Sequence, residues 1–233
     1  MKPTRQLLIC GIVSPLVYAG TDILAGLRYP GYSFQSQAVS ELFAIGAPTS
    51  ALVVSLFSVG SMLSLVFAFG VWWTAGERRV LRVLAVLLAL SAVDGLLLWN
   101  VFPMHMRGAE RTFTDTMHLV LAANPFVPLS LVFGMVAFKR GFRIYSAVTI
   151  VMLLVLADLS FSYAPQLDAN LPTPWLGLTE RVAQWAYGVW QLVLAGLLIQ
   201  QTHAPKREIA LTSPVPLGIL PSRSGRTRVR AKD

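Results

Sequence analysis

The sequence predicts an all-α, polytopic membrane protein: a bundle of six transmembrane helices with both termini in the cytoplasm. Hydrophobic residues make up 55% of its 233 residues and charged residues only 13%, whereas soluble domains average about 25% charge. The apolar residues form separate blocks of roughly 20 residues, long enough to cross the hydrocarbon core as helices. This composition excludes a soluble enzyme, and the single cysteine, Cys10, excludes a disulfide scaffold.

Six apolar blocks define the predicted spans in chain order. Their predicted bounds are Leu7–Leu27, Ala51–Thr74, Val80–Phe102, Met117–Phe138, Ile144–Tyr163 and Arg181–Gln201. The first block can also be interpreted as a cleaved signal peptide, because basic residues precede it and Val17-Tyr18-Ala19 resembles a cleavage site. Pro15 interrupts this block and apolar sequence continues to Leu27, which favours a retained span.

The basic residues predict the orientation. Fifteen of the 19 Lys and Arg residues lie at the N-terminus, in the loops after spans two and four, and in the C-terminal tail. The opposite side has the remaining four, Arg28, Arg107, Arg111 and Arg181. The positive-inside rule therefore predicts a plasma-membrane protein with both termini inside. Because the net charge of +8 follows this topology, nucleic acid is not an expected partner.

Two regions are predicted, a six-span domain over residues 1–203 and a tail over residues 204–233. The tail is rich in Pro, Ser and Arg and contains few large apolar residues. Such a composition predicts a disordered cytoplasmic segment. Its basic end is a topology signal or, alternatively, a contact with anionic lipids.

The loop between spans one and two predicts a turn followed by a short amphipathic helix. Pro30-Gly31 fits a type II turn, and Ser33 is suited to cap a helix over residues 33–42. Three apolar residues share one face of that helix: Phe34, Ala38 and Leu42. We expect it on the outer membrane surface or over the mouth of a cavity.

Carboxylates inside spans predict an outward-facing polar cavity, because a carboxylate in the membrane is costly unless it is neutralised, paired or hydrated. Gln184 lies on a polar, small-residue stripe of span six, and both outer loops add polar side chains. The candidate binding residues are Asp22, Ser40, Glu41, Asp94, His105, Arg107, Arg111, Asp115, His118, Asp158 and Gln184. Alternatively, the carboxylates are structural and hydrogen-bond neighbouring helices.

Three further expectations concern contacts. His118 should approach Asp22, Asp94 or Glu41 closely enough for a direct or water-bridged hydrogen bond. Arg107 and Arg111 should pair locally with Glu110 and Asp115, or hold an anion. Span two has a ridge of small residues suited to helix packing, formed by Gly60, Ser64 and Ala68.

The loop motifs resemble those of a bacterial and archaeal six-span family catalogued as domain of unknown function 998. The residues that carry the resemblance are Tyr29-Pro30-Gly31-Tyr32-Ser33, Ser40-Glu41-Leu42, Gly46-Ala47-Pro48, Phe102-Pro103 and the His118 that opens span four. The resemblance covers about residues 7–201 and implies a six-span membrane fold without implying an activity. An acidic residue often follows Phe-Pro in that family, where this chain has His105.

The predicted polar cavity favours binding of a lipid or small amphiphile as the function, with the bilayer itself as the main partner. A metal-dependent intramembrane lipid hydrolase is a second hypothesis, with His105 and His118 as zinc ligands. No HExxH motif supports it, and no cofactor is predicted. The sequence is also compatible with a small transporter and with an accessory or structural partner of a membrane complex. It leaves open whether the protein is an enzyme, and its oligomeric state.

Overall fold

The computed structural model describes residues 3–203, which are helical and contain no strand. The α-helices in this range are α1 (Pro3–Arg28), α2 (Ser50–Ala75), α3 (Arg79–Val101), α4 (Phe113–Ala122), α5 (Phe126–Ala137), α6 (Arg140–Phe161), α7 (Ala164–Asp168) and α8 (Leu176–His203). A 3₁₀ helix, Val39–Phe43, lies between α1 and α2. The predicted tail and its disorder lie outside the described residues.

Six stretches of these helices are long and apolar enough to cross a membrane. They are Thr4–Arg28, Ser50–Ala75, Arg79–Val101, Phe113–Ala137, Arg140–Asp168 and Leu176–Thr202. The predicted number and order of spans are therefore confirmed. The side of the membrane on which each end lies stays a prediction from the basic residues.

Span four is two helices rather than the continuous helix that was predicted. The break follows α4 at Asn124, which adopts a φ of +23°, and Pro125 comes next. Proline lacks an N–H and disfavours helical conformation in the residue before it, so Asn124 cannot continue α4. The break exposes an irregular backbone segment within a membrane-length stretch.

Span six begins at Leu176, before the predicted start at Arg181. In the structure Arg181 is 3% exposed and lies one turn inside α8. An ion pair with α1, described below, allows this position.

The first loop forms a short 3₁₀ helix in place of the amphipathic helix expected over residues 33–42. All five residues of Val39–Phe43 are buried, and their apolar side chains join a cluster with Ala25, Phe57 and Leu98. Ser33 stabilises a turn rather than a helix, since its Oγ accepts a hydrogen bond from the Ser36 N–H at 3.3 Å. A longer helix does not form because the carbonyls of Phe34 and Gln37 accept hydrogen bonds from Arg181 instead.

The helices form a closed ring around the centre of the bundle. Helix α1 packs on α2, α2 on α3, α3 on α4 and α5, α5 on α6, α6 on α8, and α8 back on α1. One end of the ring is filled by an apolar core that includes Trp190, whose Nε1 donates to Ser146 Oγ at 2.8 Å. The other end, where the first loop packs, contains the cavity described below.

The small-residue ridge of α2, predicted as a packing surface without a named partner, contacts α1. Ser14 Oγ of α1 donates to the Gly60 carbonyl at 2.8 Å and lies 2.8 Å from Ser64 Oγ. Further along α2, a Cβ added at Gly70 would lie 2.9 Å from Leu7 Cβ and 3.1 Å from the backbone nitrogen of Leu8. Close backbone approach of α1 and α2 thus depends on glycine at position 70.

Replacing Gly70 with alanine is therefore expected to destabilise the bundle by about 1–3 kcal/mol, because backbone atoms of α1 cannot move aside cheaply. Gly60→Ala is the matched control, since its nearest neighbouring atom would lie at 3.8 Å. Thermal or denaturant unfolding in detergent measures both variants. Equal unfolding temperatures for the two would contradict the close α1–α2 approach.

Candidate functional site

A cavity of about 610 Å³ lies within the ring of helices. Its lining is mostly apolar and comes from both outer loops and from all six spans. Eight of the predicted site residues contribute to the lining: Ser40, Asp94, His105, Arg107, Arg111, Asp115, His118 and Gln184. The remaining three, Asp22, Glu41 and Asp158, do not line this cavity in the part of the chain that the structure describes.

Asp22 is engaged in a buried ion pair with Arg181 rather than facing the cavity. Arg181 Nη2 donates to Asp22 Oδ1 at 2.8 Å, and its Nε donates to Oδ2 at 3.0 Å. The Asp22 side chain is fully buried and that of Arg181 is 4% exposed. This pair joins α1 to α8 and neutralises both charges within the membrane-length helices.

The same guanidinium fixes the first loop. Arg181 Nη1 donates to the carbonyls of Phe34 at 2.8 Å and Gln37 at 3.1 Å. Its Nη2 also donates to the Tyr32 hydroxyl at 2.6 Å, and the group lies 4.9 Å from the centre of the Phe34 ring. Burial raises the pKa of the Tyr32 hydroxyl, which therefore stays protonated and donates to the Ala38 carbonyl at 2.7 Å.

Glu41 forms a second ion pair that joins the two outer loops. Arg107 Nη2 donates to Glu41 Oε1 at 2.7 Å, and its Nε donates to Oε2 at 2.9 Å. The ion pair is therefore bidentate. The Glu41 side chain is fully buried and Arg107 is 21% exposed. The hydrogen bonds to Glu41 raise the pKa of Arg107. The local pairing expected for Arg107 is thus wrong, because Glu41 offers two buried oxygens across the loops.

Arg111 pairs with Asp168 at the end of α7, not with Glu110 or Asp115. Asp115 instead completes the capping box of α4, since its Oδ2 accepts a hydrogen bond from the N–H of the N-cap residue Thr112 at 2.8 Å. It also accepts from His105, whose N–H lies 2.7 Å from Oδ1 and whose Nδ1 lies 3.0 Å from Oδ2. The pairing predicted for Arg111 was based on proximity in the sequence. It is wrong because the nearby carboxylate of Asp115 is already hydrogen-bonded at the start of α4.

His118 contacts the end of α3 and has no direct bond to an acidic residue in residues 3–203. Its Nδ1 lies 2.9 Å from the Phe102 carbonyl oxygen, and because a carbonyl only accepts, Nδ1 donates. No direct hydrogen bond from His118 to Asp22 or Glu41 is present among the described residues, and both carboxylates accept from arginines. Asp94 and His118 do line the same cavity.

Asp158 is exposed on α6 and is not brought to the cavity. Depth alone predicted its inclusion, but depth does not fix the rotation of a helix. Its neighbours Ala157 and Ser160 line the cavity instead, so the helix is turned to place Asp158 away from it.

Of the three aspartates predicted within spans, Asp22, Asp94 and Asp158, Asp94 is the one that lines the cavity. It is 7% exposed, and its Oδ2 is buried with no hydrogen-bond partner in the described range. Two more cavity-lining residues have a buried, unpartnered polar atom: Asn124 at Oδ1 and Trp99 at Nε1. Buried polar atoms in proteins are normally hydrogen-bonded, so this wall is a candidate for ligand contact.

Glu180 is an acidic residue that lines the cavity and was not among the predicted site residues. Its Oε2 accepts from the Val39 N–H at 2.9 Å, and its Oε1 accepts from Gln184 Nε2 at 3.3 Å. Gln184 Oε1 in turn accepts from the Tyr18 hydroxyl. A signal was present, since Glu180 precedes Gln184 by one helical turn and shares its face.

Each of the two candidate zinc ligands has a hydrogen-bond partner. His105 is bound to Asp115 and His118 to Phe102. Within residues 3–203, no group of three or more His, Cys, Asp or Glu side chains is placed to hold a metal ion.

The six membrane-length helices and the cavity they enclose define a multi-pass helical membrane protein. The chain matches the family described as protein of unknown function (DUF998) over residues 12–197, and it belongs to that family. The resemblance found in the loop motifs is thereby confirmed. No curated protein and no solved structure shows significant similarity to the chain.

The unpartnered oxygen of Asp94 predicts the effect of removing its charge. Asp94→Leu is expected to keep or raise the unfolding temperature in detergent, because a costly buried carboxylate is lost without breaking a hydrogen bond. Thermal unfolding of the purified variant beside wild type measures this. A marked loss of stability would show that Asp94 is a structural contact between helices.

Proposed function

We propose that this protein binds a small amphiphile, a lipid or single-chain molecule, within its cavity in the plasma membrane. The cavity volume of about 610 Å³ falls in the range of roughly 300–1,000 Å³ typical of small-molecule sites. Such sites are mainly apolar with a few placed polar groups. The lining here has that character, because Phe57, Leu88 and Leu98 supply apolar surface and Asp94 and Glu180 supply polar groups.

The observation that carries the proposal is a mostly apolar cavity whose wall includes a buried carboxylate with no partner in the described residues. Buried polar atoms in proteins are normally hydrogen-bonded, and leaving one unsatisfied costs free energy. A bound headgroup that donates hydrogen bonds removes that cost. An alkyl chain then occupies the apolar part of the lining.

Filling the cavity tests the proposal. Ala157 lines the cavity on α6, so Ala157→Trp is expected to displace bound amphiphile. Val155 is 54% exposed on the same helix and does not line the cavity in the described range, which makes Val155→Trp the matched control.

Native mass spectrometry of protein released from nanodiscs, with added dodecanol or dodecylamine, measures the bound amphiphile. Wild type and Val155→Trp should retain it and Ala157→Trp should lose most of it. Equal occupancy in all three proteins, or none in wild type, would contradict a ligand in this cavity.

One observation favours transport of such a molecule as a second candidate function. The break between α4 and α5 borders the cavity, since Leu121, Asn124 and Val127 all contribute to its lining. Discontinuous membrane helices form the substrate sites of many transporters. Uptake of dodecylamine into proteoliposomes, compared with protein-free liposomes, tests this function, and equal uptake would contradict it.

A further inference from the structure

The arginines around the cavity are each neutralised by a carboxylate. Arg181 pairs with Asp22, Arg107 with Glu41 and Arg111 with Asp168. Within residues 3–203, no salt bridge includes either of the cavity-lining acids Asp94 and Glu180. An anionic headgroup would therefore meet no unpaired arginine or lysine among the described lining residues, whereas two carboxyl groups without a cationic partner line the cavity.

Two hydrogen-bond acceptors on one wall lack donors. These are Asp94 Oδ2 and Asn124 Oδ1, both buried and unpartnered among the described residues. Asn124 Nδ2 donates to Ser91 Oγ at 3.2 Å, and Ser91 precedes Asp94 by three positions on α3, so the two share a helix face. The acceptors of Asp94 and Asn124 consequently belong to the same part of the wall.

A primary ammonium matches this wall better than other headgroups. It supplies three N–H donors and a positive charge, whereas a hydroxyl supplies a single donor and a carboxylate none. Aromatic rings add to the match, since Tyr18, Phe57 and Trp99 also line the cavity and aromatic faces attract cations. Trp99 Nε1 is a buried donor without a partner among the described residues. It can donate a hydrogen bond to a ligand oxygen next to the amine.

Resting on the proposed function, we propose that the ligand is an amphiphile with a primary ammonium headgroup bound by Asp94 and Asn124. Its alkyl chain lies along the apolar lining that includes Leu88 and Leu98. The shared chemistry is found in free long-chain amines and in lipids with an ethanolamine headgroup.

The test compares four probes of equal chain length on the full chain in phosphatidylcholine nanodiscs: dodecylamine, dodecyltrimethylammonium, dodecanol and dodecanoate. Binding to wild type is measured by native mass spectrometry over a concentration series. Because charge-assisted hydrogen bonds are the strong ones, dodecylamine is expected to bind about tenfold or more tightly than dodecanol, and dodecanoate most weakly. Dodecyltrimethylammonium, which has the charge without N–H donors, should bind more weakly than dodecylamine.

Asp94→Asn keeps the size of the side chain and removes its charge. It should reduce dodecylamine affinity about tenfold or more and leave dodecanol affinity unchanged. Asp158→Asn is the matched control, because Asp158 is an exposed aspartate of another span that is not part of the described cavity lining. It should bind all four probes like wild type, and thermal unfolding confirms that both variants are folded.

The outcomes separate the two proposals. If wild type binds none of the four probes, the proposed function fails. If it binds dodecanol or dodecanoate as tightly as dodecylamine, amphiphile binding stands and the ammonium preference is overturned. A preference that survives in folded Asp94→Asn overturns the role of Asp94. The wild-type series needs no variant, so the preference is tested even if Asp94→Asn does not fold.

The source of the ammonium is resolved by changing the nanodisc lipid. If the natural ligand is an ethanolamine lipid, replacing phosphatidylcholine with phosphatidylethanolamine should compete with dodecylamine and raise its apparent Kd. If it is a free amine, the apparent Kd should stay the same. A rise that Asp94→Asn also shows would overturn competition at this site.

Discussion

Replacing Arg181 with alanine is expected to reduce the free energy of unfolding by about 3–5 kcal/mol, because it leaves a buried carboxylate without its counter-charge. Asp22 is fully buried and receives the guanidinium through both oxygens. The carbonyls of Phe34 and Gln37 also lose their donor. Unfolding in detergent, followed thermally or with denaturant, measures the loss.

The matched control is Arg111→Ala, since Arg111 and Asp168 form a pair in which both side chains are about 40% exposed or more. Such a pair contributes less than about 1 kcal/mol. Arg181→Lys should not restore stability, because an ammonium cannot reach the positions that the planar guanidinium occupies. The double variant Asp22→Leu/Arg181→Leu should recover part of the loss. Equal effects of Arg181→Ala and Arg111→Ala would contradict the assigned role of the buried pair.

The second large effect is expected at Glu41, whose replacement by alanine should reduce the free energy of unfolding by about 3 kcal/mol. The change removes both carboxylate oxygens that accept from Arg107, and it removes the acceptor of the Ala38 N–H, which lies 2.9 Å from Glu41 Oε1. Because Arg107 belongs to the other outer loop, both loops should become more sensitive to protease. Thermal unfolding and limited proteolysis measure the two effects.

Glu77→Ala is the control for the Glu41 variant. Glu77 is fully exposed and lies 3.7 Å from Arg82, so no measurable change is expected. Glu41→Gln should lose less stability than Glu41→Ala, because an amide oxygen still accepts a hydrogen bond. An unchanged unfolding temperature for Glu41→Ala would show that the loops are held together by other contacts.

The number and order of the spans were predictable from sequence because the length of an apolar block directly sets whether it crosses a membrane. The partner of Asp22 was not predicted, although two signals pointed to it: a carboxylate inside a span, and an arginine that violates the positive-inside trend. Pairing them requires knowing that α1 and α8 are neighbours, and sequence spacing does not contain that information. Pro125 indicated a break after Asn124, but the fourth span was predicted as one continuous helix.

The candidate site was predictable in part for the same reason. Depth along a helix follows from residue count, and Asp94, which was selected by its depth, does line the cavity. Rotation about the helix axis does not follow from residue count, so Asp158 was included although it is exposed. Asn124 and Trp99 were missed because an amide and an indole in a span are ordinary until their polar atoms are found without partners.

The pairing of the first span with the last has a consequence for biogenesis. Asp22 and Arg181 are 159 residues apart in the chain, so α1 enters the membrane with an unpaired carboxylate that must wait for the whole protein to be synthesised. Until then it is neutralised by a proton or kept near water, since a lone charge in the membrane is costly. A chain truncated before Arg181 lacks the counter-charge and cannot bury Asp22 as an ion pair.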